Sequence, residues 1–127
     1  MSNSRKILIA SALATLMAAG VAGCKPATTA KADPSSANFA ALCQAALTVY
    51  YVEGGRGPEF DEKSRRGRLW IKRYHERAAA SGLSAHDAAK NWKAIYRDLV
   101  EAHVGKGIAR KNEAMKQIMD ACAPHEA

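Results

Sequence analysis

The chain has 127 residues, 48% of them hydrophobic and 24% charged, and its 19 Lys and Arg against 12 Asp and Glu give a formal net charge of +7. That length fits one small domain and excludes a multidomain enzyme, and the charged share argues against a chain disordered throughout. The excess of cations directs attention to anionic partners, and the three cysteines raise the question of redox compartment.

Residues 1–23 open on Arg5-Lys6, continue through an apolar run from Ile7 to Ala22, and end on small residues before Cys24. A basic start, an apolar middle and a small-residue end predict a cleaved secretory signal. The run is shorter than the roughly 20 residues of a spanning helix, and no other run in the chain is comparable, so nothing is expected to stay across a bilayer.

The segment Val21-Ala22-Gly23-Cys24 resembles the lipobox of bacterial lipoproteins. The resemblance covers only the amino-terminal segment. It implies cleavage before Cys24, diacylation of its sulfur and acylation of the new amino terminus. Lys25 stands where the sorting rule of enteric bacteria has an Asp for inner-membrane retention, so the resemblance implies the outer membrane, facing the periplasm. The competing reading is a secreted protein cut elsewhere, with Cys24 a spare thiol. Under the lipoprotein reading the membrane is a partner through Cys24. Each buried CH₂ contributes about 0.8 kcal/mol, and more than one acyl chain gives stable attachment.

Residues 24–36 hold no large apolar side chain beyond the lipidated Cys24 and read as a flexible linker. At about 5–6 Å times the square root of its length it spans roughly 20 Å, which keeps the domain close to the membrane face.

With Cys24 lipidated, Cys43 and Cys122 remain in a chain sent to an oxidising compartment, and the even remainder predicts one disulfide between them. Two buried free thiols are the alternative. The bond would close a loop of about 80 residues, for which chain entropy gives on the order of 4.5 kcal/mol.

Residues 37–127 carry four helical patterns, so an all-α, small four-helix bundle-like domain is expected. In the first, Phe39, Leu42, Cys43, Ala46, Val49 and Tyr50 share one face, Ser36 or Asn38 caps the start, and Gly54-Gly55 ends it. The β-branched and aromatic run Leu47 to Val52 is assigned to this helix as its continuation. The second pattern starts near Phe60-Asp61-Glu62 and runs through Trp70, Ile71, Tyr74 and Ala78 to Gly82. Asp61 with Arg65 and Glu62 with Arg66 stand at i,i+4 pairing distance. Gly67, costly by about 1 kcal/mol inside a helix, is expected to mark a close helix contact. The third begins on Ser84 and Asp87, a weak capping box, with Leu83 and Ala88 as a staple. It continues through Trp92, Ile95, Tyr96, Leu99 and His103 to Gly105. The fourth carries Ile108, Met115, Ile118, Met119 and Cys122, with Pro124 as a stop.

The residues expected for catalysis are absent as a pattern. The four histidines include no one-turn pair, there is no HExxH or GxSxG, and Gly54-Gly55-Arg56-Gly57-Pro58 lacks the Lys and preceding strand of a phosphate loop. No metal, no cofactor and no enzymatic activity are expected. His103, ending an apolar stripe, should pack or interact with a helix C-terminus. The basic cluster of the second helix is the strongest unassigned feature, and Arg66, Arg73 and Arg77, on one side of it, form a candidate basic binding surface. A solvated, solubilising face is the competing assignment. The export address argues against nucleic acid and for an acidic envelope protein or an anionic envelope polymer.

The expected function is therefore that of a membrane-anchored, periplasm-facing lipoprotein acting as a small helical protein-binding module, for example an immunity or inhibitor protein against an envelope-acting toxin. The alternative is a structural or protective lipoprotein contacting peptidoglycan, lipopolysaccharide or unfolded clients.

Overall fold

The computed structural model describes residues 33–103 and 105–127. The expected signal, the lipobox, Cys24 and the first part of the linker lie outside the described residues. The domain is all-helical: α1 (Ala37–Val49), α2 (Pro58–Ala80), α3 (Ala85–His103) and α4 (Ile108–Cys122), closed by a 3-10 turn over Ala123–His125.

Helix α1 is the centre of the domain and packs against all three other helices. The expectation of one apolar face is corrected: Phe39 to Cys43 and Ala45 to Leu47 are all buried. From Ala37 to Val49 there is no charged side chain, and alanines at 40, 41, 45 and 46 let neighbouring helices approach from several sides. Helix α2 runs antiparallel to α1, with Phe39 edge-on to Trp70 at 5.6 Å between ring centres. The Sγ atoms of Cys43 and Cys122 are bonded, with Cα atoms 6.0 Å apart, so mid-α1 is stapled to the end of α4.

The punctuation is mostly local. The Ser36 hydroxyl accepts from the Phe39 amide at 3.1 Å and caps α1. Ser84 Oγ accepts from the Asp87 amide at 3.1 Å and starts α3. Between them α2 closes in a Schellman arrangement: the Leu83 amide donates to Ala78 and the Gly82 amide to Ala79, with Gly82 at φ +87°. Leu83 thus ends one helix and precedes the cap of the next, which makes α2 and α3 a tight hairpin.

Four further expectations are corrected. Helix α1 stops at Val49, because Tyr50 turns extended and its successors find long-range partners. Lys111 donates to the Val49 carbonyl at 2.9 Å, Lys63 to that of Tyr50, and the Asn112 side chain pairs with both the N–H and C=O of Tyr51. Helix α2 starts at Pro58, and its carboxylates do not pair at i,i+4: Glu62 takes Arg65, while Arg66 reaches the carboxyl-terminal tail. Gly67 is no close contact, since a Cβ there would meet nothing within 4 Å. Ile108, placed in the fourth helical pattern, opens α4 and is 59% exposed.

The last four linker residues are ordered. The Ser36 amide donates to Asp33, and Arg77 donates to the carbonyls of Pro34 and Ser36 at 2.8 and 3.1 Å.

Candidate functional site: a groove beside an internal guanidinium row

Helix α2 presents two different faces, and its cations divide between them. On one face Arg66, Arg73 and Arg77 do share a side, as their spacing requires, but that side is turned toward the domain's own chain. Arg66 Nε lies 2.7 and 2.8 Å from the two oxygens of Glu126, and its terminal nitrogen donates to Met119 O at 2.9 Å. The fully buried Trp70 adds its indole N–H to Glu126 at 2.8 Å. Arg73 donates to His125 O and lies 4.9 Å above the Trp70 ring; Arg77, on the linker carbonyls, lies 5.7 Å from it. Burial, with Arg73 adding repulsion, lowers the Arg77 pKa. Arg66 and Arg73 thus donate to carbonyls at and beyond the end of α4, and Arg77 to carbonyls just before α1. The proposed basic surface is thus three cations occupied by the tail and the linker.

The other face of α2 is open. Phe60, Ser64, Gly67, Ile71 and His75 recur at three- and four-residue steps and form one wall of a groove whose floor is α1. Two clefts of about 360 and 320 Å³ meet at Gln44 and Ile71. Helices α2 and α3 touch little beyond their hairpin, so Gln44 and Thr48 of α1 are left open between them, with Leu47 buried beneath.

The opposite wall is Ala89, Trp92 and Lys93 of α3. Trp92 is fixed twice: its indole N–H donates to Gln44 Oε1 at 2.8 Å, and its ring stacks on Tyr96 at 5.2 Å. Below the groove, buried Tyr74 donates to Ala88 O and accepts from Asn91, which also donates to Asn38 at 2.9 Å. This network holds the first turn of α3 on α2 and α1, so the groove walls are rigid where they converge.

Charge completes the site. Lys63, Arg68 and Lys93 line the groove, and no carboxylate does. Lys63 is partly engaged with Tyr50 O and the Phe60 ring, and burial together with Lys111 lowers its pKa. Arg68 and Lys93 are exposed and form no ion pair among the described residues. A separate cleft, where Tyr51 and Ile108 are exposed beside Asn112, has Glu53 and Glu59 as its charged lining residues and so carries the opposite sign.

Sequence reading counted Arg68 and Lys93 only within the excess of positive charge and placed Ile71 and Trp92 in helical patterns; these last two are half-buried, packing against the core while lining the groove. The stripe at 60, 64, 67, 71 and 75 mixes aromatic, small and aliphatic side chains, so no hydrophobic period marks it. The one available signal was Gly67, an unfavoured residue in mid-helix. His103 is half-buried at the end of α3, where burial lowers its pKa and Lys106 adds repulsion. Among the described residues no three His, Cys, Asp or Glu groups could hold a metal ion, and no helix is long and apolar enough to cross a membrane. No family model, no curated protein and no solved structure matches this chain.

Proposed function

We propose that this chain is a membrane-anchored, periplasm-facing lipoprotein whose helical domain is a small protein-binding module, with the α2–α3 groove as its docking face. The observation that carries the reading is the groove: half-buried Phe60 and Ile71 above a buried Leu47, a fixed Trp92 on one wall and the unpaired Arg68 and Lys93 at the rim. Such a surface suits recognition of another macromolecule, in which an aromatic anchor supplies affinity and the charges select the partner. The lipobox-like segment supports the address. An immunity or inhibitor protein that neutralises an envelope-acting toxin is the narrower form of this proposal.

Two measurements test it. Metabolic labelling with palmitate should mark the wild-type chain and leave Cys24→Ser unlabelled and released from the membrane. Affinity capture from envelope extracts at low and moderate salt should recover a stoichiometric protein that Trp92→Ala no longer retains. Capture of no such protein, together with salt-sensitive binding to purified peptidoglycan or lipopolysaccharide, would favour the structural, protective role instead.

A further inference from the structure

We infer that the occupant of the α2–α3 groove is an acidic amphipathic helix of the partner protein, lying along α2 with its apolar face on the half-buried Phe60, Ile71 and Trp92 and its carboxylates against Arg68 and Lys93. This rests on the reading of the domain as a protein-binding module.

Shape selects a helix. The groove is walled by α2 along its length and by α3 beside Ile71 and His75, and beyond their first turns the backbone groups of both helices are already paired within the helix. An extended peptide would find no backbone partners there and would bury unsatisfied N–H and C=O groups. A helix satisfies its own and presents only side chains. The stripe from Phe60 to His75 is about 22 Å long at ~1.5 Å per residue, which matches about four turns of a partner helix. Gly67 sits in the middle of that wall with open space before it, so a ridge on the incoming helix can approach the α2 backbone at that point.

Openness to solvent selects amphipathicity. An acyl chain has no polar face and needs enclosure on every side, whereas this groove covers only one side of its occupant. Charge selects acid. The cations Lys63, Arg68 and Lys93 face the groove with no carboxylate among its lining residues. The same criterion excludes the chain's own amino-terminal segment, because residues 1–32 contain Arg5, Lys6, Lys25 and Lys31 and neither Asp nor Glu. It also disfavours a second copy, since each chain carries a net charge of +7.

The test uses the full chain, 15N-labelled, and two synthetic helical peptides of about 18 residues with the same Leu/Ile face, one flanked by Glu and one by Lys. The Glu peptide should shift the amide signals of Ser64, Gly67 and Ile71 and the indole signal of Trp92. Its affinity should fall about tenfold or more in Arg68→Glu/Lys93→Glu, and steeply with salt. Both substituted side chains are exposed, so the fold is retained, which circular dichroism checks. Gly67→Leu, projecting into open space, should block the peptide while leaving the helix content unchanged. Equal binding of the Lys peptide, shifts confined to other surfaces, or indifference to the charge reversal would overturn the inference. A photo-crosslinker at Ala89 in cells separates the two levels. If the Glu peptide fails and the crosslinked partner segment is not an acidic helix, the inference falls and the binding module stands. If no protein is crosslinked and phosphatidylglycerol vesicles bind at the groove instead, both fall.

Discussion

Arg66 Nε bridges both carboxylate oxygens of Glu126, at 2.7 and 2.8 Å, with only 13% and 12% of the two side chains exposed. A charge from the middle of α2 is thereby neutralised by the second-last residue of the chain. Removing one partner of such a pair leaves the other desolvated and unpaired, and without Glu126 the buried Trp70 indole N–H loses its acceptor as well. Glu126→Ala should therefore destabilise the domain by about 2–3 kcal/mol, below the full cost for a deeply buried pair because some water reaches it. A double-mutant cycle with Arg66→Ala, read by urea unfolding, should give a coupling of at least about 1 kcal/mol. A coupling near zero would show that the contact is incidental.

The Cys43–Cys122 bond closes a separation of 79 residues around a domain with few large core side chains. Chain entropy assigns it about 4.5 kcal/mol as an upper figure, a large share of what a domain this size holds. The reduced protein, or Cys43→Ala/Cys122→Ala, should unfold at a much lower temperature by calorimetry. An unchanged transition on reduction would mean that the helices hold without it.

Gly67 lies in mid-α2 with nothing within reach of a Cβ. Gly67→Ala should raise stability by about 1 kcal/mol, through helix propensity and a less flexible unfolded chain. That corresponds to a gain of roughly 4–8 °C in Tm for a domain of this size. A loss of stability would show that the site is more crowded in solution.

His103 sets a pH dependence. Burial and Lys106 hold its pKa below the ordinary histidine value of 6.5, so the unfolded chain takes up a proton before the folded one does. Its contribution is present above 6.5 and is lost as pH falls through that value toward the folded pKa. Stability measured by urea unfolding should decline from pH 7.5 to 5, and His103→Gln should flatten the slope. Asp33 and Glu62, whose pKa values are lowered by hydrogen bonds from Ser35 and Arg65 respectively, act with the same sign only in more acid solution.

What the sequence made legible was what is local. Ser36, Ser84, Gly82 and Pro124 mark helix ends through contacts within a few residues, and Cys43 with Cys122 could be paired by counting. The partners of Arg66, Arg73 and Arg77 were hidden because they are carbonyls and one carboxylate more than 40 residues away, and backbone carbonyls leave no trace in composition. The burial of most of α1 was readable in principle from a helix with no charge, yet three-and-four periodicity finds a face in any such run. The groove depends on how far α2 and α3 splay, which is set by Tyr74, Asn91 and Trp92 acting across helices.

Arg77 grips Pro34 and Ser36 near the end of α2, beside the hairpin that turns into α3. Asp33 therefore lies at the hairpin end of the domain, while Phe60 and Lys63 lie at the far end. A tether attached ahead of Asp33 would leave the Phe60 end of the groove farthest from the attachment point, so a partner helix could reach that end without passing the tether.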